Sequence, residues 1–179
     1  LRVAFRVRPE TNMQDLETIF DASLRRDIVL AFRESSESLP ESPVRIAAAM
    51  EGEARSLLAF EPAWTIPDRI VETYRYGLDG LSPSGVRYMF GKLLLFCIDN
   101  PDSEAIVFVL NYTIHATDKA SWAAEAFAAF DACQLLSIEK FVLRCAATLP
   151  DYIAPRSLLD AASNSIERLV AVRNHDASK

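Results

Sequence analysis

This sequence predicts an all-α fold, a compact bundle of about seven helices with an extended amino-terminal arm or edge strand. Three observations predict it. Between Leu81 and Pro150 helix start signals recur, each followed by apolar residues at three- and four-residue spacing. Only Leu1 to Val7 alternates apolar and polar residues convincingly, and no second such strand is there to pair with it. From Asp118 to Phe130 alanine is dense, which favours helix and lets neighbouring helices approach closely. The organisation expected is an arm over residues 1–9 and a single helical domain over 10–179, with 34–43 a flexible linker between the first helix and the rest.

In Leu1 to Val7, Leu1, Val3, Phe5 and Val7 alternate with Arg2, Ala4 and Arg6, as in a half-buried strand. A lone strand is an edge piece, an arm or a strand completed by another chain, and a loosely docked arm is expected. Thr11 with Gln14 reads as a capping box, and Met13, Leu16, Phe20, Leu24, Ile28 and Phe32 form the stripe of an amphipathic helix. Glu34 to Pro43, rich in serine, glutamate and proline, reads as the linker. Val44 to Phe60 is expected as a helix weakened by Gly52. Glu61 to Ile66 follows as a loop carrying Trp64. Pro67 opens a short helix through Tyr76, closed by Gly77 at a left-handed position, and Asp79-Gly80 is a turn.

Ser82 then caps a helix with Pro83 at its first position, where the missing N–H costs nothing. Val86, Met89, Phe90, Leu93, Leu94 and Cys97 are its stripe. Asn100, Pro101, Asp102 and Glu104 look like the next start, with carboxylates at the positive end of the helix dipole. Ala105 to Leu110 is six apolar residues in a row and would also suit a buried strand, but the Asn-Pro start and the lack of a partner favour helix. Asp118 is read as the cap of a segment carrying Trp122, Ala126 and Phe130. Asp131 with Gln134 is a capping box before the stripe Leu135, Ile138, Val142, Cys145 and Leu149, which Pro150 ends. A last helix runs from Pro155 to about Val172 on Leu158, Ala162, Ile166 and Leu169.

Leu81-Ser82-Pro83, Arg87-Tyr88-Met89-Phe90, Phe127 to Phe130, Gln134 and Ile138 to Leu143 resemble a family of small, uncharacterised bacterial helical proteins, over about residues 64–149. The resemblance implies an all-helical fold and carries over no catalytic residues. Members of such families often sit near toxin and immunity genes, which implies a possible role in that setting. Gly91-Lys92 departs from the proline usual after the paired aromatics.

Composition sets further bounds. Half the 179 residues are apolar, enough for one domain with a real core. The longest apolar runs fall far short of the ~20 residues that span a bilayer, so no membrane role is expected. No stretch at the start has the shape of a signal peptide, and opening on Leu1 is what a truncated or processed chain would show. Cys97, Cys133 and Cys145 form no C-x-x-C pair, and they read as reduced packing residues in a cytoplasmic protein. The net charge is −6; residues 34–72 hold eight acidic and three basic side chains, and 93–138 hold six acidic and one basic. Such faces repel phosphate backbones, which argues against a nucleic-acid partner.

No nucleophile elbow, phosphate loop or glycine-rich cofactor turn is present, and no metal or cofactor is expected. His115 with Asp118 and the more distant Glu125 is the one arrangement resembling a metal or acid–base site, and its plainer reading is a surface histidine at a helix end. An enzyme there would need a concave pocket around His115 with a perturbed carboxylate. Trp64, Tyr74, Tyr76 and Tyr88 are core pieces or, on a sharper reading, anchors of a binding surface. The function expected is a non-enzymatic protein–protein interaction module, most concretely an acidic immunity protein or antitoxin that covers a basic toxin. Glu37, Glu41, Glu51, Glu53, Glu61, Trp64, Asp99, Asp102 and Glu104 are the expected contact residues, against the plain alternative of a solubilising surface. The runner-up is a helical adaptor or regulatory subunit that forms a homodimer through the arm and first helix.

Overall fold

The computed structural model describes residues 13–45 and 50–176, and among these it is all-α with no strand. Eight α-helices follow in order: α1 (Met13–Glu37), α2 (Glu51–Leu57), α3 (Asp68–Tyr74), α4 (Pro83–Asp99), α5 (Ala105–His115), α6 (Trp122–Ala128), α7 (Ala132–Thr148) and α8 (Arg156–Asp176). Short 3-10 turns at Ala63–Thr65 and Arg75–Gly80 flank α3. The expected arm, residues 1–9, and the Thr11 capping box lie outside the described residues. No described helix is long and apolar enough to cross a membrane.

Two capped starts form as their residues dictate. Ser82 Oγ accepts from the Gly85 N–H with Pro83 at the first helical position. Asp131 and Gln134 satisfy each other's backbone N–H groups in a complete capping box. Ala105 to Leu110 is helical, since α5 spans it.

Other boundaries differ, each for a local reason. Asn100 ends α4 instead of starting α5: its side-chain amide donates to the Phe96 carbonyl at 2.9 Å, and Ser103 Oγ accepts the Ala105 N–H. Asp118 binds only the Ala120 N–H within a turn, and Ser121 is the side chain that caps α6. Val44 makes an isolated bridge to Leu81, and of the described residues in the expected Val44–Phe60 helix only α2 is helical. Gly77 is not left-handed, since no described glycine has a positive φ. Close approach is what small residues provide here. A Cβ on Gly80 would come within 2.6 Å of the Met50 carbonyl oxygen, which fixes the turn that carries Asp79.

Residues 34–37, the first part of the expected linker, extend α1. Ser36 is buried and its hydroxyl donates to the Tyr88 carbonyl at 2.8 Å; Ser35 Oγ accepts from Gln134 Nε2 at 3.1 Å. Arg87 completes this junction by reaching Gln134 and Asp131. The end of α1 and the starts of α4 and α7 are thereby tied together.

Five helices close a ring around the core: α4 packs on α1, α1 on α7, α7 on α8, α8 on α5, and α5 on α4. The α1–α4 contact is close because a Cβ on Gly91 would meet Phe32 Cβ at 2.6 Å and the Trp64 ring at 2.8 Å. Phe90 lies at the centre, its ring 5.2 Å from Phe130, 5.7 Å from Phe127, 6.0 Å from Tyr112 and 6.4 Å from Phe32. Cys97 and Cys145 are buried, and burial pushes both thiols up, Cys145 to about 12. Cys133 is exposed. Helix α6 covers α4 and α5, and the turn Arg75–Gly80 joins α2 to α5. The outer side of α5 is covered only in part, with Val107 and Phe108 half-buried and Asn111 and His115 exposed.

Candidate functional site

This side of α5 carries Val107, Phe108, Asn111 and His115, which with Glu104 just before the helix are spaced to share one face. Concave surface adjoins it along its length. At its amino end a cleft of about 510 Å³ is lined by Asp68, Arg69, Glu72, Phe96, Asp99 and Asp102 among others. Beside that lies a groove of about 400 Å³ formed by Asp102, Ser103, Glu104, Val107, Tyr152 and Ile153. Asp102 and Ser103 line both, so the two form one surface.

The carboxylates of this surface are mostly engaged. Lys92 binds Asp68 at 2.7 Å, Arg75 reaches both Glu72 and Glu104, and Arg25 binds Asp99. Asp102 is exposed and has no ion pair among the described residues. The groove beside it contains no basic side chain, and at its edge Tyr152 is 85 % exposed.

Of the expected contact residues, Asp99, Asp102 and Glu104 come together here. The others do not join them. Glu37 and Glu41 are exposed near the end of α1, where Glu61 accepts the Leu39 N–H at 3.1 Å. Glu51 is occupied by Arg55 on α2, and Glu53 is half-buried on the same helix. Trp64 packs its indole against Gly91 and the core. Tyr88 is buried, its hydroxyl donating to the Phe60 carbonyl at 2.8 Å, and burial pushes that hydroxyl up to about 12. Tyr74 is half-buried, whereas Tyr76 is 45 % exposed and stacks edge-on against Phe108.

Toward the carboxyl end of α5 a second concave region of about 360 Å³ is lined by Asp79, Phe108, Tyr112, His115, Asp118 and Trp122 among others. Tyr112 and Trp122 meet edge to face with ring centres 4.4 Å apart. Tyr112 is 3 % exposed, and among the described residues neither its hydroxyl nor Asp79 Oδ1 has a hydrogen-bond partner. Burial pushes the Asp79 carboxyl up from 3.8 to about 6, and nearby Arg45 offsets only part of this. Burial also pushes the Tyr112 hydroxyl upward, reinforced by Asp79. His115 is exposed at the helix end, as its plainer reading expects, yet it also lines a concave wall with a perturbed carboxylate. Glu125 stands apart from this wall and faces Arg45 at 3.7 Å. Among the described residues no three His, Cys, Asp or Glu side chains are placed to hold a metal ion.

Sequence reading missed Tyr152, Asp79 and Tyr112. Tyr152 had a signal, an aromatic outside any apolar stripe in the loop between Pro150 and Pro155. Asp79 had none, because Asp-Gly reads first as a turn.

Asp79 dictates a pH dependence. Its carboxyl holds a proton more tightly in the folded chain than in the unfolded one, so stability falls as pH rises from about 4 and the loss is complete above about 6. Asp79→Asn is expected to remove that slope and to raise stability at pH 7 by on the order of 2 kcal/mol. Urea unfolding at pH 4, 5, 6 and 7 checks this; equal slopes in variant and wild type would refute it.

Compared with family models, curated proteins and solved structures, the chain matches none of them.

Proposed function

We propose that this chain is a non-enzymatic protein–protein interaction module that takes a basic partner against the amino end of α5 and the loop carrying Tyr152. In its most concrete form it is an acidic immunity protein or antitoxin that covers a toxin's working surface. The observation that carries the reading is Tyr152, 85 % exposed beside the unpaired Asp102 in a groove with no basic side chain. A tyrosine covered by a partner contributes binding energy at little entropic cost, and the carboxylate of Asp102, which has no ion pair among the described residues, attracts a basic surface.

The test is capture of a partner from lysate of the source organism at low salt, followed by affinity measurement with Tyr152→Ala and Asp102→Lys. Tyr152→Ala is expected to weaken binding about tenfold or more, the size of an interface hot spot. Asp102→Lys should weaken it further at low salt than at high salt. Unchanged affinity in both variants rejects this face.

One observation favours the homo-oligomeric adaptor as a second reading. Leu136 and Leu143, seven residues apart on α7, are 43 % and 50 % exposed and share one face. A dimer seen by light scattering and dissolved by Leu143→Glu would move the weight to it.

A further inference from the structure

The concave wall between the turn at Asp79, α5 and the start of α6 has a chemistry of its own, independent of the interface above. It has aromatic sides, Phe108, Tyr112 and Trp122, two carboxylates, Asp79 and Asp118, and the imidazole of His115, with no lysine or arginine among the described residues that line it. Two polar atoms of its lining residues, Asp79 Oδ1 and the Tyr112 hydroxyl, are buried and lack hydrogen-bond partners among the described residues. Buried polar groups are nearly always satisfied, and leaving them otherwise is costly. The one nearby cation that acts on Asp79, Arg45, is directed to Glu125 at 3.7 Å and makes no hydrogen bond to Asp79.

What would satisfy both atoms is constrained. A carboxylate oxygen only accepts, so its partner must donate; a tyrosine hydroxyl can accept as well. An anion is repelled by Asp79 and Asp118. A primary ammonium carries three donors and a positive charge, and aromatic faces attract such a cation. The volume of about 360 Å³ is at the small end of ligand sites.

We propose that this groove binds a primary ammonium group carrying an alkyl or aromatic body, with the ammonium donating to Asp79 Oδ1 and Tyr112 and the body lying against Phe108 and Trp122.

The experiment titrates the full chain with phenethylamine and n-butylamine, following tryptophan fluorescence and amide chemical shifts, with 2-phenylethanol and phenylacetate as neutral and anionic controls. The expected result is saturable binding of the amines, with shifts at residues 79, 112 and 122, and none by the controls. Asp79→Asn is expected to lower amine affinity about tenfold or more, and Tyr112→Phe by a smaller factor, both with unchanged circular dichroism. Nα-acetyl-lysine amide separates the two sources of such a group. Its binding alongside the free amines supports the site and assigns it to a partner's lysine; free amines binding alone supports it as a small-molecule site. Absence of saturable amine binding, or binding undiminished in Asp79→Asn, overturns the proposal.

Discussion

Phe90→Ala is expected to destabilise the folded chain by about 3–5 kcal/mol, the cost of emptying a fully enclosed aromatic position. Phe90 is fully buried and its ring contacts those of Phe32 on α1, Tyr112 on α5, Phe127 on α6 and Phe130 just after α6. Removing it opens a void where four elements meet. Those elements cannot close in easily, because α4 already touches α1 through Gly91 with no room to spare. Thermal unfolding should show a midpoint lower by roughly 10 °C or more. A drop of only a degree or two would mean that the ring of helices does not depend on this aromatic cluster.

Asp21→Ala is expected to cost about 3 kcal/mol, through the charge it leaves behind. Arg144 on α7 is 8 % exposed and holds Asp21 on α1 with a two-pronged pair, Nε to Oδ1 at 2.8 Å and Nη2 to Oδ2 at 3.0 Å. Its remaining Nη1 has no partner among the described residues, so the aspartate is what makes this guanidinium tolerable. The attraction also raises the Arg144 pKa. Adding Arg144→Met to Asp21→Ala should recover most of the loss, since an apolar chain of similar length carries no stranded charge. Equal stability of the single and double variants would contradict this account.

Much of the fold was legible because helix signals are local. Ser82-Pro83 and Asp131 with Gln134 each solve the problem of unsatisfied N–H groups within four residues, and each formed as read. Of the stripe on α1, Leu24, Ile28 and Phe32 are buried as their spacing requires, whereas Phe20 is 45 % exposed. Misplaced boundaries came where one residue has two possible partners. Asn100 could serve the helix after it or the one before, and it serves the one before. The serine-rich stretch after Phe32 looked solvated, but Ser35 and Ser36 find acceptors or donors on α4 and α7, which lie 52 or more residues away in sequence.

The candidate sites were less legible, for a related reason. The spread of acidic residues along the chain said nothing of pairing, and Arg25, Arg75 and Lys92 neutralise carboxylates far from them in sequence. Asp102 and Tyr152 are likewise brought together by the packing of α5 against α8, with no mark of it in either segment alone. Asp79 and Tyr112 are separated by α4 and become neighbours only because the turn Arg75–Gly80 packs against α5.

The central claim is that the working face runs from the start of α5 to Tyr152, and hydrogen exchange of the chain with and without its captured partner tests it most directly. Slowed exchange confined to residues 101–108 and 150–154, with α7 unchanged, is the predicted result. Protection instead along the outer side of α7 around Leu136 and Leu143, and none near Tyr152, would contradict it.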